Sequence, residues 1–199
     1  MMKRIFLTAV ISLVALFPAP AQDLTPEQMK QTIFESGSLI SSIDCEFVQT
    51  KTMSLLEEKL VSTGRMIYRK PDELMWGYTT PVSYSFHMKG SSVTLERDGN
   101  IESFDLKDNK MIKEIARLIM GSIAGSNIND ANTFSTSVEA VGREWIVTLV
   151  PKRKDALRMW SSLRLHYRPD MRCATSIEMN EPSGDLTVIE FKNIKTEFK

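Results

Sequence analysis

Few side chains in this 199-residue sequence are typed and spaced for chemistry, and each of them has a plainer role to weigh against it. His87 and His166 fall on the polar positions of alternating stretches, beside Ser85 and Lys89 in one and Arg164 and Arg168 in the other, which predicts solvated surface histidines. Neither has a cysteine or carboxylate at a metal-ligand spacing in sequence. The adjacent carboxylates Glu57-Glu58 and Asp72-Glu73 fall in turns, where solvent gives no reason for a raised pKa. There is no nucleophile elbow, phosphate loop or dinucleotide fingerprint. The expectation is a protein that is not an enzyme and holds neither metal nor cofactor. Cys45 and Cys173 lie on apolar strand faces, and two readings stay open for them: a disulfide, or two separate buried thiols.

The elements that must position these residues begin after a leader. Lys3 and Arg4 precede an apolar run from Ile5 to Phe17, and Ala19-Pro20-Ala21 has the small-x-small form of a signal-peptidase site. The run is short for a membrane span, which takes about 20 residues. Residues 1–21 are therefore expected to be a cleaved signal peptide and 22–199 a single exported domain located in the periplasm, an oxidising compartment. Lys and Arg number 25, as do Asp and Glu, so no bulk charge favours nucleic acid as a partner.

Thr25-Pro26-Glu27-Gln28 reads as a capping box with proline at the first helical position, and Met29, Ile33, Phe34, Gly37 and Ile40 trace one helical face. From Ile43 the period becomes two. Ile43, Cys45 and Phe47 share a face, and a turn at Ser54 to Glu58 leads to a strand over Lys59 to Arg69. The stretch Gly64 to Pro81 is two strands joined at Pro71-Asp72, with Met66 and Tyr68 on one face of the first and Leu74, Trp76 and Tyr78 on one face of the second. Tyr84, Phe86 and Met88 alternate next, followed by strands over Ser91 to Arg97 and Ile101 to Leu106.

Between Asp108 and Gly125 the period is helical again, with Met111, Ile112, Ile115, Leu118 and Ile119 on its apolar face. This helix is either a flap over an open end or a plug packed into the core. A mobile polar loop follows over 126–132, then strands over Phe134 to Val141, Glu144 to Val150, Trp160 to Tyr167, Cys173 to Asn180 and Leu186 to Ile194, with a basic loop at Lys152 to Lys154. About eleven one-sided strands would close, or almost close, into a barrel around an apolar interior.

Phe47-Val48-Gln49-Thr50, taken with the Gly64 to Pro81 stretch, resembles the LolA family of periplasmic lipoprotein carriers. The matching residues are Phe47 and Gln49 in the first strand, Gly64 opening the next, and Pro71, Trp76 and Pro81 at five-residue steps. The likeness is specific over residues 43–81 and architectural beyond them. It implies a mainly β fold with a helical lid, an unclosed antiparallel β-barrel of about eleven strands. The function it implies is that of a monomeric carrier of acylated lipoproteins, loaded by an inner-membrane ABC transporter of the Lol type and unloaded at an outer-membrane acceptor. A lipid-sensing regulatory module on the same fold is the alternative.

Carried over by position, the acyl-chain cavity would be lined by Phe47, Met66, Tyr68, Leu74, Trp76, Tyr84, Phe86 and Met88, with Leu74 and Trp76 at its entrance. Met111, Ile112, Ile115, Leu118 and Ile119 would form the lid. Lys70 stands where the family commonly has an arginine that hydrogen-bonds lid carbonyls, which makes it the latch candidate. Lysine lacks the planar guanidinium fork, so its latch would differ in strength and geometry.

Overall fold

The computed structural model describes residues 24–105, 120–121, 123–170 and 173–199. The expected signal segment and the lid positions Met111, Ile112, Ile115, Leu118 and Ile119 lie outside the described residues.

The chain enters α1 (Pro26–Leu39) through the capping box read from its sequence. Gln28 N donates to Thr25 Oγ1 at 3.3 Å and Thr25 N donates to Gln28 Oε1 at 2.8 Å, satisfying two amides that the helix itself cannot. Met29, Ile33 and Gly37 are the buried positions of α1, which packs on the 3-10 turn Ser126–Asn129 and on the strand that follows it. Gly37 permits that closeness. A Cβ there would overlap the carbonyl oxygen of Ala124, so the helix could not seat.

Six strands follow: β1 (Ile40–Met53), β2 (Glu58–Arg69), β3 (Glu73–Thr80), β4 (Tyr84–Lys89), β5 (Ser92–Arg97) and β6 (Asn100–Asp105). Further on come β7 (Phe134–Val141), β8 (Glu144–Pro151), the short helix α2 (Lys154–Leu157), β9 (Ser162–Tyr167), β10 (Ser176–Asn180) and β11 (Leu186–Phe198). All eleven join one sheet in the order β6-β5-β4-β3-β2-β1-β11-β10-β9-β8-β7. Each neighbouring pair is antiparallel. Two meanders are thus fused along the β1–β11 pairing. The sheet does not close, since β6 and β7 are its two ends.

One face of this sheet carries the core. Ile43, Cys45 and Phe47 of β1 meet Met66 and Tyr68 of β2, Leu74 and Trp76 of β3, Val147 and Leu149 of β8, and Leu163 and Leu165 of β9 in a single buried cluster. The period of two places them there, and each large side chain withdrawn from water is worth about 1.5–3 kcal/mol.

Four local expectations change. The loop over 126–132 contains the 3-10 turn, buries Ile128 to 1% exposure, and is tied down by the Asp130 carboxylate, which accepts from Thr133 N and Oγ1. The basic loop at Lys152 leads directly into α2. Cys173 precedes its strand instead of opening it. The last strand runs on to Phe198, passing a register shift where Asn193 takes a positive φ of 52° opposite the break between Asp44 and Glu46.

Candidate functional site

The site begins at Gly64. It pairs with Phe47 on β1 and with Tyr78 on β3, and a Cβ there would overlap both the Gly77 carbonyl oxygen and the Phe47 ring. The missing side chain is the space in which Phe47 lies flat against the sheet. From that seat Phe47 stacks on Trp76, with centroids 4.4 Å apart and planes at 28°, and meets Tyr78 edge-on at 5.2 Å. Trp76 also meets Phe191 of β11 edge-on at 6.3 Å, and Tyr78 stacks on Tyr84 at 4.5 Å. Each such pair adds about 0.5–1.5 kcal/mol beyond its buried area. The result is a continuous aromatic seam across β11, β1, β3 and β4.

Of the eight expected cavity residues, Phe47, Met66, Tyr68, Leu74, Trp76 and Met88 are buried together in the core cluster. Phe86 is partly buried against it. Tyr84 sits at the outer end of the seam and is 41% exposed. Leu74 and Trp76, expected at the entrance, retain 1% and 6% exposure in the packed face. The reason is pairing: Leu74 lies between Tyr68 and Met88, and Trp76 between Met66 and Phe86, with apolar neighbours on both sides.

Three contributors stand outside the expected cavity set. Alternation places Tyr78 on the face of Leu74 and Trp76, but it is not counted among the cavity residues. Phe191 comes from the far end of the chain, and only the β1–β11 pairing brings it in. Gln49, a matched residue with no assigned role, accepts the Tyr78 hydroxyl hydrogen bond on Oε1 at 2.9 Å. That bond satisfies the polar tip of Tyr78. Burial pushes the Tyr78 phenol above its ordinary range.

Lys70 closes the helix on the sheet. Its Nζ donates to the Gly37 and Ser38 carbonyl oxygens at 3.1 and 2.8 Å, and its backbone N–H donates to Ser41 O at 2.9 Å. Those carbonyls end α1, whose last turn has no basic residue of its own, so Lys70 supplies the missing cation at the negative end of the helix. Burial, with Lys199 nearby, lowers the ammonium pKa. Arg69 points the other way and pairs with Glu73 at 3.7 Å.

The histidines are not free surface groups. His87 Nε2 lies 3.2 Å from Glu73, whose carboxyl is held below its usual range first by that contact. The His166 side chain is only 14% exposed and lies between two carboxylates, with Nδ1 at 3.0 Å from Glu144 and Nε2 at 2.9 Å from Glu178. Cross-strand neighbours at diagonal positions supply both partners, a relation that linear spacing does not display. Because the two ring nitrogens face different carboxylates, the three side chains do not converge. Among the described residues no group of three or more His, Cys, Asp or Glu is arranged to hold a metal ion.

Cys45 and Cys173 are both buried and unbonded. Cys45 belongs to β1 and Cys173 leads into β10, with β11 between those strands. Burial pushes the Cys45 thiol up to about 12, with Cys173 adding to the effect, and the Cys173 thiol up to about 11.

An open space adjoins the seam beyond Tyr84. It is a groove of about 720 Å³ at one end of β4, β5 and β6, lined in part by Val82, Tyr84 and Leu95. No helix among the described residues is long and apolar enough to cross a membrane.

A family model described as "Outer membrane lipoprotein carrier protein LolA" matches residues 38–199. No curated protein matches the chain. Among solved structures, the lipoprotein LppX from Mycobacterium tuberculosis is similar at 8% identity and a TM-score of 0.46, over 85% of this chain and 94% of that one. The LolA superfamily protein NE2245 from Nitrosomonas europaea is similar at 10% identity and 0.42, over 85% and 94%. A chain of the MucA/MucB complex of Pseudomonas aeruginosa gives 11% and 0.46, over 84% of this chain and 56% of its own. Likenesses this distant say nothing about function.

Proposed function

Because the chain belongs to the LolA family of outer membrane lipoprotein carrier proteins, we propose that it is a periplasmic carrier holding the acyl chains of lipoproteins against the inner face of its sheet. It accepts them from an inner-membrane ABC transporter of the Lol type and gives them up to an outer-membrane acceptor. The observation that carries the reading is the aromatic seam. An uninterrupted apolar surface built from Phe47, Trp76, Tyr78, Tyr84 and Phe191 lies on the inner face of a sheet that stays open between β6 and β7.

The physics fits the task. Each methylene removed from water is worth about 0.8 kcal/mol, so an acyl chain crosses an aqueous space only inside such a surface. Release needs an alternative state close in energy. Here that state would be reached by lifting α1, which is held by hydrogen bonds from one lysine to two carbonyls and by apolar packing. Met66 and Met88 on the same face would adapt to irregular chains.

The test is to isolate the full-length chain after export into a bacterial periplasm and identify what copurifies by native mass spectrometry. Acylated protein in wild type and none in Trp76→Glu, with both variants folded by circular dichroism, is the expected result. Acylated protein absent from wild type would overturn the reading.

A further inference from the structure

We propose that the groove at the β4–β6 end is a binding site for the ester or amide end of an acyl chain, and that it selects uncharged chain ends over anionic ones. This rests on the carrier reading and goes beyond it in naming where the chain enters and which chemistry is refused.

Continuity is the first argument. Tyr84 belongs both to the groove lining and to the aromatic seam, where it stacks on Tyr78 at 4.5 Å. Val82 and Leu95 extend the apolar wall outward from it, and Val82 is 45% exposed. From this wall the Tyr84 ring leads through its stack on Tyr78 to Phe47, which stacks on Trp76, and the Tyr78 hydroxyl is turned to Gln49. The volume, about 720 Å³, lies inside the roughly 300–1,000 Å³ of ordinary small-molecule sites.

Charge is the second. Among the described residues the rim carries Glu96, Asp98 and Glu102 against one cation, Arg97, whose Nε lies 3.6 Å from Asp98. A carboxylate or phosphate at the end of a chain would meet net negative charge there. An ester or amide carbonyl carries no charge to be repelled, and Asn100 at the same rim offers an amide donor. The acyl chains of lipid-modified proteins end in esters and an amide, whereas a free fatty acid ends in a carboxylate.

The test uses the wild-type protein and two diacylglyceryl-cysteine peptides, one with a diazirine beside the chain carbonyl and the other with it at the chain terminus. Irradiation followed by peptide mapping should place the carbonyl-end label between residues 82 and 102 and the terminal label on peptides containing Phe47, Trp76 or Tyr78. Efficient labelling with the carbonyl-end probe mapping elsewhere would overturn the groove while leaving the carrier reading intact. No labelling by either probe would overturn both. Independently, Asp98→Lys with Glu102→Lys should raise affinity for palmitate about fivefold, the scale of an exposed charge pair, and leave the uncharged peptide's affinity unchanged. Equal palmitate binding before and after would overturn the selection against anions.

Discussion

At the scale of single residues, what decides the inner face is an absence of atoms. Gly64 pairs with Tyr78 and Gly77 with Arg65, so the two glycines lie one position out of register, yet only one is sterically required. A Cβ on Gly64 would overlap Gly77 O and the Phe47 ring, whereas a Cβ on Gly77 would meet nothing closer than Ser85 Cβ at 3.7 Å. Gly64→Ala should therefore cost about 1–3 kcal/mol through forced displacement of Phe47, and Gly77→Ala less than about 0.5 kcal/mol. Urea midpoints of the two variants check this directly, and equal shifts would refute the seat assigned to Phe47. A second residue-scale expectation concerns the thiols. With Cys45 pushed up to about 12 and Cys173 up to about 11, almost no thiolate exists at pH 8, and both are sealed from solvent. Alkylation at that pH should proceed only as fast as the protein unfolds, and labelling of the native state within minutes would contradict the burial.

Among elements, α1 is fixed at both ends by contacts that single substitutions can remove. Its start is fixed by Thr25 and Gln28, and its end by Lys70 reaching in from the sheet. Thr25→Ala should cost about 1 kcal/mol, as lost caps do. Lys70→Met should speed amide exchange across α1 about fivefold, for about 1 kcal/mol of lost end-charge interaction, while Lys70→Arg keeps the protection. If exchange in α1 is unaltered by Lys70→Met, the lysine is not what holds the helix. These two contacts also mark how far sequence reaches. The capping box is local, so four consecutive residues displayed it in full, and the strands from β1 to β6 were legible for the same reason, each announced by its own alternation. Lys70 was singled out by its place before Pro71, but its target, the end of α1, is set by how a helix lies across a sheet. The aromatic seam was half visible. Phe47, Trp76 and Tyr84 stand in alternating runs, while Phe191 joins them through a pairing between segments some 140 residues apart in sequence. His166 shows the same limit from the other side: its polar face was read correctly, and the two carboxylates that enclose it came from neighbouring strands.

For the whole molecule the controlling feature is the β1–β11 seam, because it is the strand pairing that joins the two meanders into one sheet. Charged clasps stand near both ends of it. Arg65 of β2 holds Asp44 through Nε at 2.8 Å and its terminal nitrogen at 2.6 Å. At the opposite end Asp185, just ahead of β11, accepts from Ser54 N at 3.0 Å and Ser54 Oγ at 3.2 Å, with Lys51 of β1 at 3.9 Å. The Arg65 hydrogen bond holds the Asp44 carboxyl below the usual range, and the Ser54 amide does the same for Asp185. Folded values below the unfolded one of about 3.9 mean that the unfolded chain binds more protons in the window between them. The contribution to stability is therefore complete above about pH 4–5 and is lost as pH falls through the folded values. Both groups are open to solvent, so the effect is a slope and not a collapse. The urea midpoint should decline between pH 5 and pH 3 in wild type, and the decline should be shallower in Asp185→Asn and in Asp44→Asn. The two substitutions sit at opposite ends of one seam and share no partner, so their effects on the slope should add in the double variant. Parallel acid profiles in all four proteins would show that the clasps do not set the pH response of the seam.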